Sequence, residues 1–490
     1  VAAFPEALFF LIFGKSVFNL RFVQVLFSLG SLICIYYICS RHFNRIVGIF
    51  TILLLAMDST FIRVTRIGNM QDAVLQIFLF WLGMALIQLY MDKKKRVFLY
   101  ASGFIFGVAL WAKLMFLGYF FGVLVAFLFF GKKSYAFLRT RIFKKKQDIV
   151  FFIAAFILGC APLLIFNIFN RWGTVTDILN SFDGTDITPW DSWNNLNFIH
   201  NFKIRFSNFS DLLHSQIAVD AMSATRNNIN PTLFCLSLVA ILLYLFLAKK
   251  GTLYKHKISF LLITYGIFLC LSSFIPKSGS FDPSHVVILL PIVQIVEAIF
   301  LSLIIIYLRK KPLVYILIFF ILIPHAYQEF KIMRKIWSDL KNDENVICTP
   351  VMDNLTNYLI SKNIQEVFCL NFTFLQTIDF ISGLKIITWG FNGPMEDFWN
   401  HPFYPVIDFP EGTSFSIESI YEYQLKKLNQ FFMIIIIDKY DKYSENAFQR
   451  LTRLIKRDKK QLLLLKTFCN KTQTRCFGLY SVEDNKSPAL

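Results

Sequence analysis

Apolar runs long enough to cross a lipid bilayer recur along most of this chain, and they limit what it can fold into. They cover residues 19–40, 46–62, 72–91, 97–111, 114–130, 149–169, 232–248, 258–275, 285–308 and 313–326. A hydrocarbon core of roughly 30 Å takes about 17 to 25 helical residues, and short polar joints separate the runs. A water-soluble globule could not cover so much apolar surface, because its exterior has to be wetted. Of the 490 residues, 56% are hydrophobic and 57 are phenylalanine. The expected fold class is therefore a multi-pass α-helical membrane protein of about ten spans. Residues 4–13 form a shorter apolar piece, ended by Gly14-Lys15-Ser16 and suited to the membrane interface. The chain opens on Val1 inside an apolar-aromatic stretch with no basic leader, so a further span is expected ahead of it.

Charge sets the threading. The net charge is +18, from 50 Lys and Arg against 32 Asp and Glu. The positives fall in short clusters between apolar runs, at 41–45, 92–96, 131–147, 249–257 and 309–311. That pattern belongs to cytoplasmic loops and argues against nucleic acid as the partner. With those clusters inside, the segment 58–72, Lys113, the long loop 170–231, the loop 276–285 and everything after the last span share the opposite, extracytoplasmic face. The domains expected are a membrane domain at 1–335 and an extracytoplasmic α/β domain at 342–490.

The second domain is read from a change of pattern. Short β-rich runs at 346–349, 366–370, 385–389, 431–437, 461–467 and 476–481 alternate with helical stretches at 352–362, 374–382, 417–429 and 444–457. The run 431–437 is continuously apolar and too short to span, as suits a buried central strand. No Gly-rich phosphate loop follows any of these strands. Of the nine cysteines, Cys469 and Cys476 face each other across a predicted hairpin and could pair in an oxidising compartment.

Polar residues at membrane edges are the candidates for chemistry, because charge there is expensive. The island 58–72 carries Asp58, Arg63, Arg66 and Asp72. Its arginines could bind a phosphate bidentately, with a carboxylate orienting them or taking a proton. Equally, Arg63 and Arg66 could snorkel to headgroups while Asp72 caps the helix that starts there. Lys113 interrupts an apolar hairpin and suits a phosphate ligand, although a hairpin turn also needs some polar residue. His285 opens a span beside a Gly/Pro-rich loop, and Glu297 lies inside that span, where it could simply pair with a neighbouring helix. The 170–231 loop holds Asp177, Asp183, Asp186, Asp191, Trp172, Trp190 and Trp193, a set that suits sugar binding or a plain solvated loop with interfacial aromatics.

Several of these segments, taken in order, resemble a known family. Phe4-Pro5-Glu6-Ala7-Leu8-Phe9, Phe13-Gly14-Lys15-Ser16 and Leu20-Arg21-Phe22 are similar to the "PPL…fG.s…Rl" segment of GT-C glycosyltransferases, in the protein-mannosyltransferase and aminoarabinose-transferase-like branch. Thr65-Arg66…Asp72 resembles that branch's "aR…D" junction, and Gly107 to Lys113 its "GlalltK". Pro162…Asn167…Arg171-Trp172-Gly173 resembles "P…N…fG", and His285…Pro291 resembles "H…P". The resemblance implies an inverting hexosyl- or pentosyltransferase that takes a sugar from a polyprenyl-phosphate donor on the extracytoplasmic face of a bacterial plasma membrane. It implies Arg66, Lys113 and His285 as donor-phosphate ligands, with Asp72 orienting Arg66. It also implies a main catalytic acid ahead of Val1, for which the nearby Glu6 is a weak substitute, and leaves a divalent metal ion open. Asp183, Trp190 and Trp193 are the candidates for acceptor or sugar contact. The alternatives weighed are a lipid or polysaccharide transporter and a non-catalytic envelope assembly protein.

Overall fold

A computed structural model of the chain describes residues 3–14, 16–64, 71–112, 116–130, 145–174, 176, 198–215, 227–247, 253–272, 287–308, 313–341, 350–369, 386–390, 430–437, 442–469 and 476–484, with some side chains within these ranges left out. The chain divides into two compact units, Val1–Met333 and Arg334–Leu490.

The first unit is helical. Its elements are α1 (Ala3–Phe13), α2 (Val17–His42), α3 (Arg45–Met57), α4 (Ser59–Val64), α5 (Gln71–Lys93), α6 (Arg96–Ala112), α7 (Phe116–Phe130), α8 (Lys146–Gly159), α9 (Ala161–Phe169), α10 (Phe198–Leu213), α11 (Ile229–Leu247), α12 (Leu253–Ser272) and α13 (Leu290–Leu308). The helix α14 (Leu313–Lys341) runs across the division into the second unit. Among the described residues five segments are long and apolar enough to cross a membrane: Arg21–His42, Ala73–Lys93, Ile229–Leu247, Leu290–Tyr307 and Val314–Lys335. The α8–α9 pair adds a sixth if its two halves, bent by 60°, form one span. That is fewer than the ten runs of the sequence. The runs at 46–62, 97–111 and 114–130 are represented by shorter apolar helices.

Two breaks have clear causes. The run 46–62 is split at Asp58, whose extended backbone (φ −67°, ψ 118°) ends α3 before α4 begins. The run 149–169 bends at Cys160, where Pro162 occupies the first turn of α9 and has no N–H to continue the ladder. The last helix, by contrast, continues well past residue 326.

Helices in lipid gain little from hiding apolar surface, so close backbone approach matters more. On α6 and α8, Gly107 and Gly159 face each other: a Cβ on Gly107 would collide with the Phe156 carbonyl oxygen, and one on Gly159 with that of Phe104. Gly122 of α7 lies against the Thr264 carbonyl of α12 in the same way. Among the candidate spans the most buried is α13, packed by α3 and α11. Large side chains such as Phe129 and Phe246 point outward, as lipid-facing residues do.

The second unit is an α/β layer. It contains α15 (Pro350–Ser361), β1 (Glu366–Cys369), β2 (Ile387–Gly390), β3 (Gln430–Ile437), α16 (Lys442–Arg457), β4 (Lys460–Cys469) and β5 (Cys476–Asp484). The sheet order is β2-β1-β3-β5-β4, so β3 is the middle strand. β1 pairs parallel with β2 and β3, and β5 pairs antiparallel with β3 and β4. Met352, Leu355 and Leu359 of α15 pack on one face with Val367, Ile434, Phe477 and Leu479. Alternation along β5 turns Tyr480 to the other face, where it meets Phe448 of α16. A Cys469–Cys476 disulfide closes the β4–β5 hairpin. The strand read at 346–349 and the helices read at 374–382 and 417–429 lie outside the described residues.

Candidate functional site

The polar island begins on a buried carboxylate cluster. Where α3 ends, the Asp58 amide still bonds to the Leu54 carbonyl at 3.0 Å, while its side chain starts the next helix: Oδ1 accepts from the Phe61 amide at 2.9 Å. This is N-capping, which satisfies one of the amides a helix start leaves open. A second carboxylate completes the cap from far away in sequence. Oε2 of Glu329, on α14, accepts from the Ser59 amide at 2.8 Å.

Glu329 also reaches the other side of the bundle. Its Oε1 accepts from the Ser215 hydroxyl at 2.9 Å, just past α10, and from Asn227 Nδ2, just before α11. Asn227 in turn caps α11, its Oδ1 accepting from the Ile229 and Asn230 amides at 2.9 and 3.1 Å. From α13, Gln294 Nε2 donates to Asp58 Oδ2 at 3.0 Å. One cluster thus joins the α3–α4 corner, the α10–α11 connection, α13 and α14. Hydrogen bonds to a charged group contribute about 1.5–3 kcal/mol each, and a buried carboxylate without them is costly.

Two more titratable side chains lie with it. Glu297, one turn beyond Gln294, is fully buried, feels the charges of Asp58 and Glu329, and has no hydrogen bond to either oxygen. His325, one turn before Glu329, is fully buried with both ring nitrogens unbonded. Three buried carboxylates brought together in a low-dielectric interior are costly unless hydrogen bonds or opposite charges meet them. Among the described residues no group of three or more His, Cys, Asp or Glu side chains is arranged to hold a metal ion.

The island's remaining residues fall in two groups. Arg63 of α4 is only 9% exposed, so it does not snorkel to headgroups. Asp72 is the second residue of α5, a position where a carboxylate favours the helix start; its side chain lies outside the described residues. Arg66, Lys113, His285, Asp183, Trp190 and Trp193 also lie outside them.

Glu6 is described. It is buried, and its Oε1 accepts from Gln24 Nε2, tying α1 to α2. Asn167 has a comparable structural task after α9. Its Nδ2 donates to the Leu163 carbonyl at 2.8 Å and its Oδ1 accepts from the Thr174 amide at 3.1 Å. Between them Arg171 and Trp172 adopt left-handed φ values of 48° and 63°, uncommon for non-glycine residues. The turn leaves the Trp172 ring exposed.

Comparison with known proteins adds what the geometry alone does not contain. Residues 1–166, about a third of the chain, match a family model described as dolichyl-phosphate-mannose-protein mannosyltransferase. No curated protein sequence matches. Among solved structures, ArnT from Cupriavidus metallidurans bound to undecaprenyl phosphate is similar over 98% of this chain and 87% of its own, with a TM-score of 0.54 and 11% identity. The Archaeoglobus fulgidus oligosaccharyltransferase, covered over 58% of its length by 88% of this chain, scores 0.45 at 13% identity. The family model spans α1 to α8 and includes the whole island, while the ArnT likeness extends the shared fold over nearly all the rest. The first third of the chain is thus similar in sequence to that family's model, and nearly its whole length is similar in fold to ArnT.

Proposed function

We propose that the protein is a membrane glycosyltransferase that takes a sugar from a polyprenyl-phosphate donor and passes it to a cell-envelope acceptor on the extracytoplasmic face. One observation carries this reading: the mannosyltransferase family model covers the polar island, and the start of that island is fixed by two buried carboxylates, Asp58 and Glu329, with the Gln294 amide bonded to the first. The ArnT structure of similar fold was solved with undecaprenyl phosphate, the kind of lipid the donor would leave behind.

In the proposed reaction an acceptor hydroxyl oxygen attacks the sugar's anomeric carbon as the bond from that carbon to the phosphate oxygen breaks. The hydroxyl proton passes to a carboxylate base, and polyprenyl phosphate leaves with the bonding electrons. Phosphate is a good leaving group, so fixed positive charge and positioning supply much of the rate. Arg66 and Lys113, with His285, hold the phosphate, and Asp72 orients Arg66. Asp58 and Glu329 are positioning residues: they set where α4 starts and so where the chain leaves toward Arg66. Asp183, Trp190 and Trp193 are proposed for the acceptor or the sugar. A single displacement of this kind inverts the anomeric centre. The Cys469–Cys476 disulfide supports an oxidising location for the second unit, such as the outer side of a bacterial plasma membrane.

The test is reconstitution of the full-length protein in liposomes with polyprenyl-phosphate-linked sugars and envelope acceptors. Sugar appearing on the acceptor with release of polyprenyl phosphate is the expected result. Lipid translocation across the bilayer with no sugar transfer would overturn the proposal in favour of a transporter.

A further inference from the structure

The second unit carries a basic, leucine-rich edge that no step of sugar transfer uses. Between residues 449 and 466 there are seven basic side chains and one acid. Arg450, Arg453, Lys456 and Arg457 of α16 and Lys459 in the following turn are exposed. The lone acid, Asp458, is held by Arg457 at 3.1 Å. The acids on the neighbouring strand, Glu483 and Asp484, lie in register with Gln461 and Lys460 at the start of β4.

Helix α16 packs on β4, and β4 is the last strand of the described sheet. This edge strand exposes three consecutive leucines, Leu463, Leu464 and Leu465, by 42%, 52% and 43%, with Leu464 paired to Tyr480 on the α16 side and Leu463 paired to Ser481 on the other. The register shifts between Leu464 and Lys466, a bulge that pushes this part of the strand out of its ladder with β5. An exposed apolar edge strand invites pairing with another chain, and bulges and flanking lysines work against that. The same combination of leucines between fixed positive charges suits the boundary of an anionic bilayer, where apolar side chains enter the acyl region and cations meet phosphate.

The chain itself ties this unit to a candidate membrane span. The unit begins at Arg334, inside the candidate span Val314–Lys335, and Trp337 follows as an exposed aromatic of the interfacial type. A surface tethered this way meets lipid headgroups at high effective concentration, so even a weak patch is occupied.

We infer that the exposed basic residues of α16 and the Leu463–Leu465 edge of β4 form a docking surface for anionic phospholipid headgroups. Docking holds the second unit against the bilayer to which it is tethered, independently of any sugar chemistry.

Hydrogen–deuterium exchange of the full-length protein in nanodiscs tests this. With phosphatidylglycerol present, peptides covering 450–469 should exchange about tenfold or more slowly than in pure phosphatidylcholine. The R450E/R453E/K456E variant should erase that difference and L463S/L464S should reduce it, while β3 stays equally protected in every sample as the control for folding. Equal exchange of 450–469 in both lipids, with β3 protected, would overturn the inference. So would protection that follows protein concentration in neutral detergent and ignores lipid charge, since that would assign the edge to a second copy of the chain.

Discussion

The two units place polar and apolar residues in opposite ways. In the first, Asp58, Glu297, His325 and Glu329 are inside while phenylalanines and leucines cover the outside. In the second, Leu355, Leu359 and Leu479 are inside while arginines and lysines lie outside. The contrast follows from what selects each packing. In lipid, burial of apolar surface does not discriminate inside from outside, so glycine contacts and hydrogen-bonded polar groups fix which helices meet. In the second unit an apolar core between helix and sheet performs that task. A buried charge therefore marks the organising centre of the first unit, whereas in the second the organising centre is a sheet with no buried acid among its described core residues.

If that contrast holds, substitutions should act in a definite order. Glu329→Ala should be the most damaging, because it strips partners from the Ser59 amide, Ser215 and Asn227 at once. Loss of about 3–5 kcal/mol is expected for breaking a buried charged network, read as a lower thermal-unfolding midpoint in detergent. Leu355→Ala, in the core of the second unit, should cost about 2–5 kcal/mol and should increase hydrogen exchange in β1, β3 and β5 while leaving the helices of the first unit unchanged. An effect that spread equally through both units would break the distinction.

Gly107→Leu should cost about 1–3 kcal/mol by forcing α6 away from α8, measurable as a lower denaturation midpoint in detergent. Asn167→Ala should cost only about 1 kcal/mol, since it removes a local turn bond and leaves packing intact. The smallest effect concerns pH. Burial raises the Tyr480 phenol above its ordinary value, so its contribution is complete below the unfolded value near 10 and is lost as pH rises through the folded one. Alkaline titration of the wild type against Tyr480→Phe should show that loss only in the wild type.

Much of the fold was legible from local pattern. The apolar runs predict the long helices, and short β-rich runs alternating with helical stretches predict β3, α16, β4 and β5 to within a few residues. The hairpin's two cysteines are readable as able to pair, because the predicted hairpin sets them opposite each other, and the disulfide is a finding of the structure. The centre of the first unit was harder to read. Asp58 and Glu297 stand out in the sequence as isolated acids, but Glu329 falls beyond the last apolar run, 313–326, and His325 is a single histidine at its end, so neither is marked by pattern. Glu329 lies 270 residues from the Ser59 amide it binds, and no period or spacing carries such a contact. One signal was available: Gln294 and Glu297, and His325 and Glu329, are polar pairs three and four residues apart, each on one face of an apolar helix. The split at Asp58 was hidden for a related reason, since hydropathy does not distinguish a continuous helix from two helices joined by a capping carboxylate.

Binding of polyprenyl phosphate to the reconstituted protein, with Arg66 and Lys113 intact or replaced, tests the proposed role of the island most directly. The wild type should bind the lipid, and Arg66→Ala and Lys113→Ala should each weaken binding at least about tenfold, the loss of one charge-assisted phosphate contact. Undiminished binding by the double variant would contradict the account, leaving the island as a structural joint between helices.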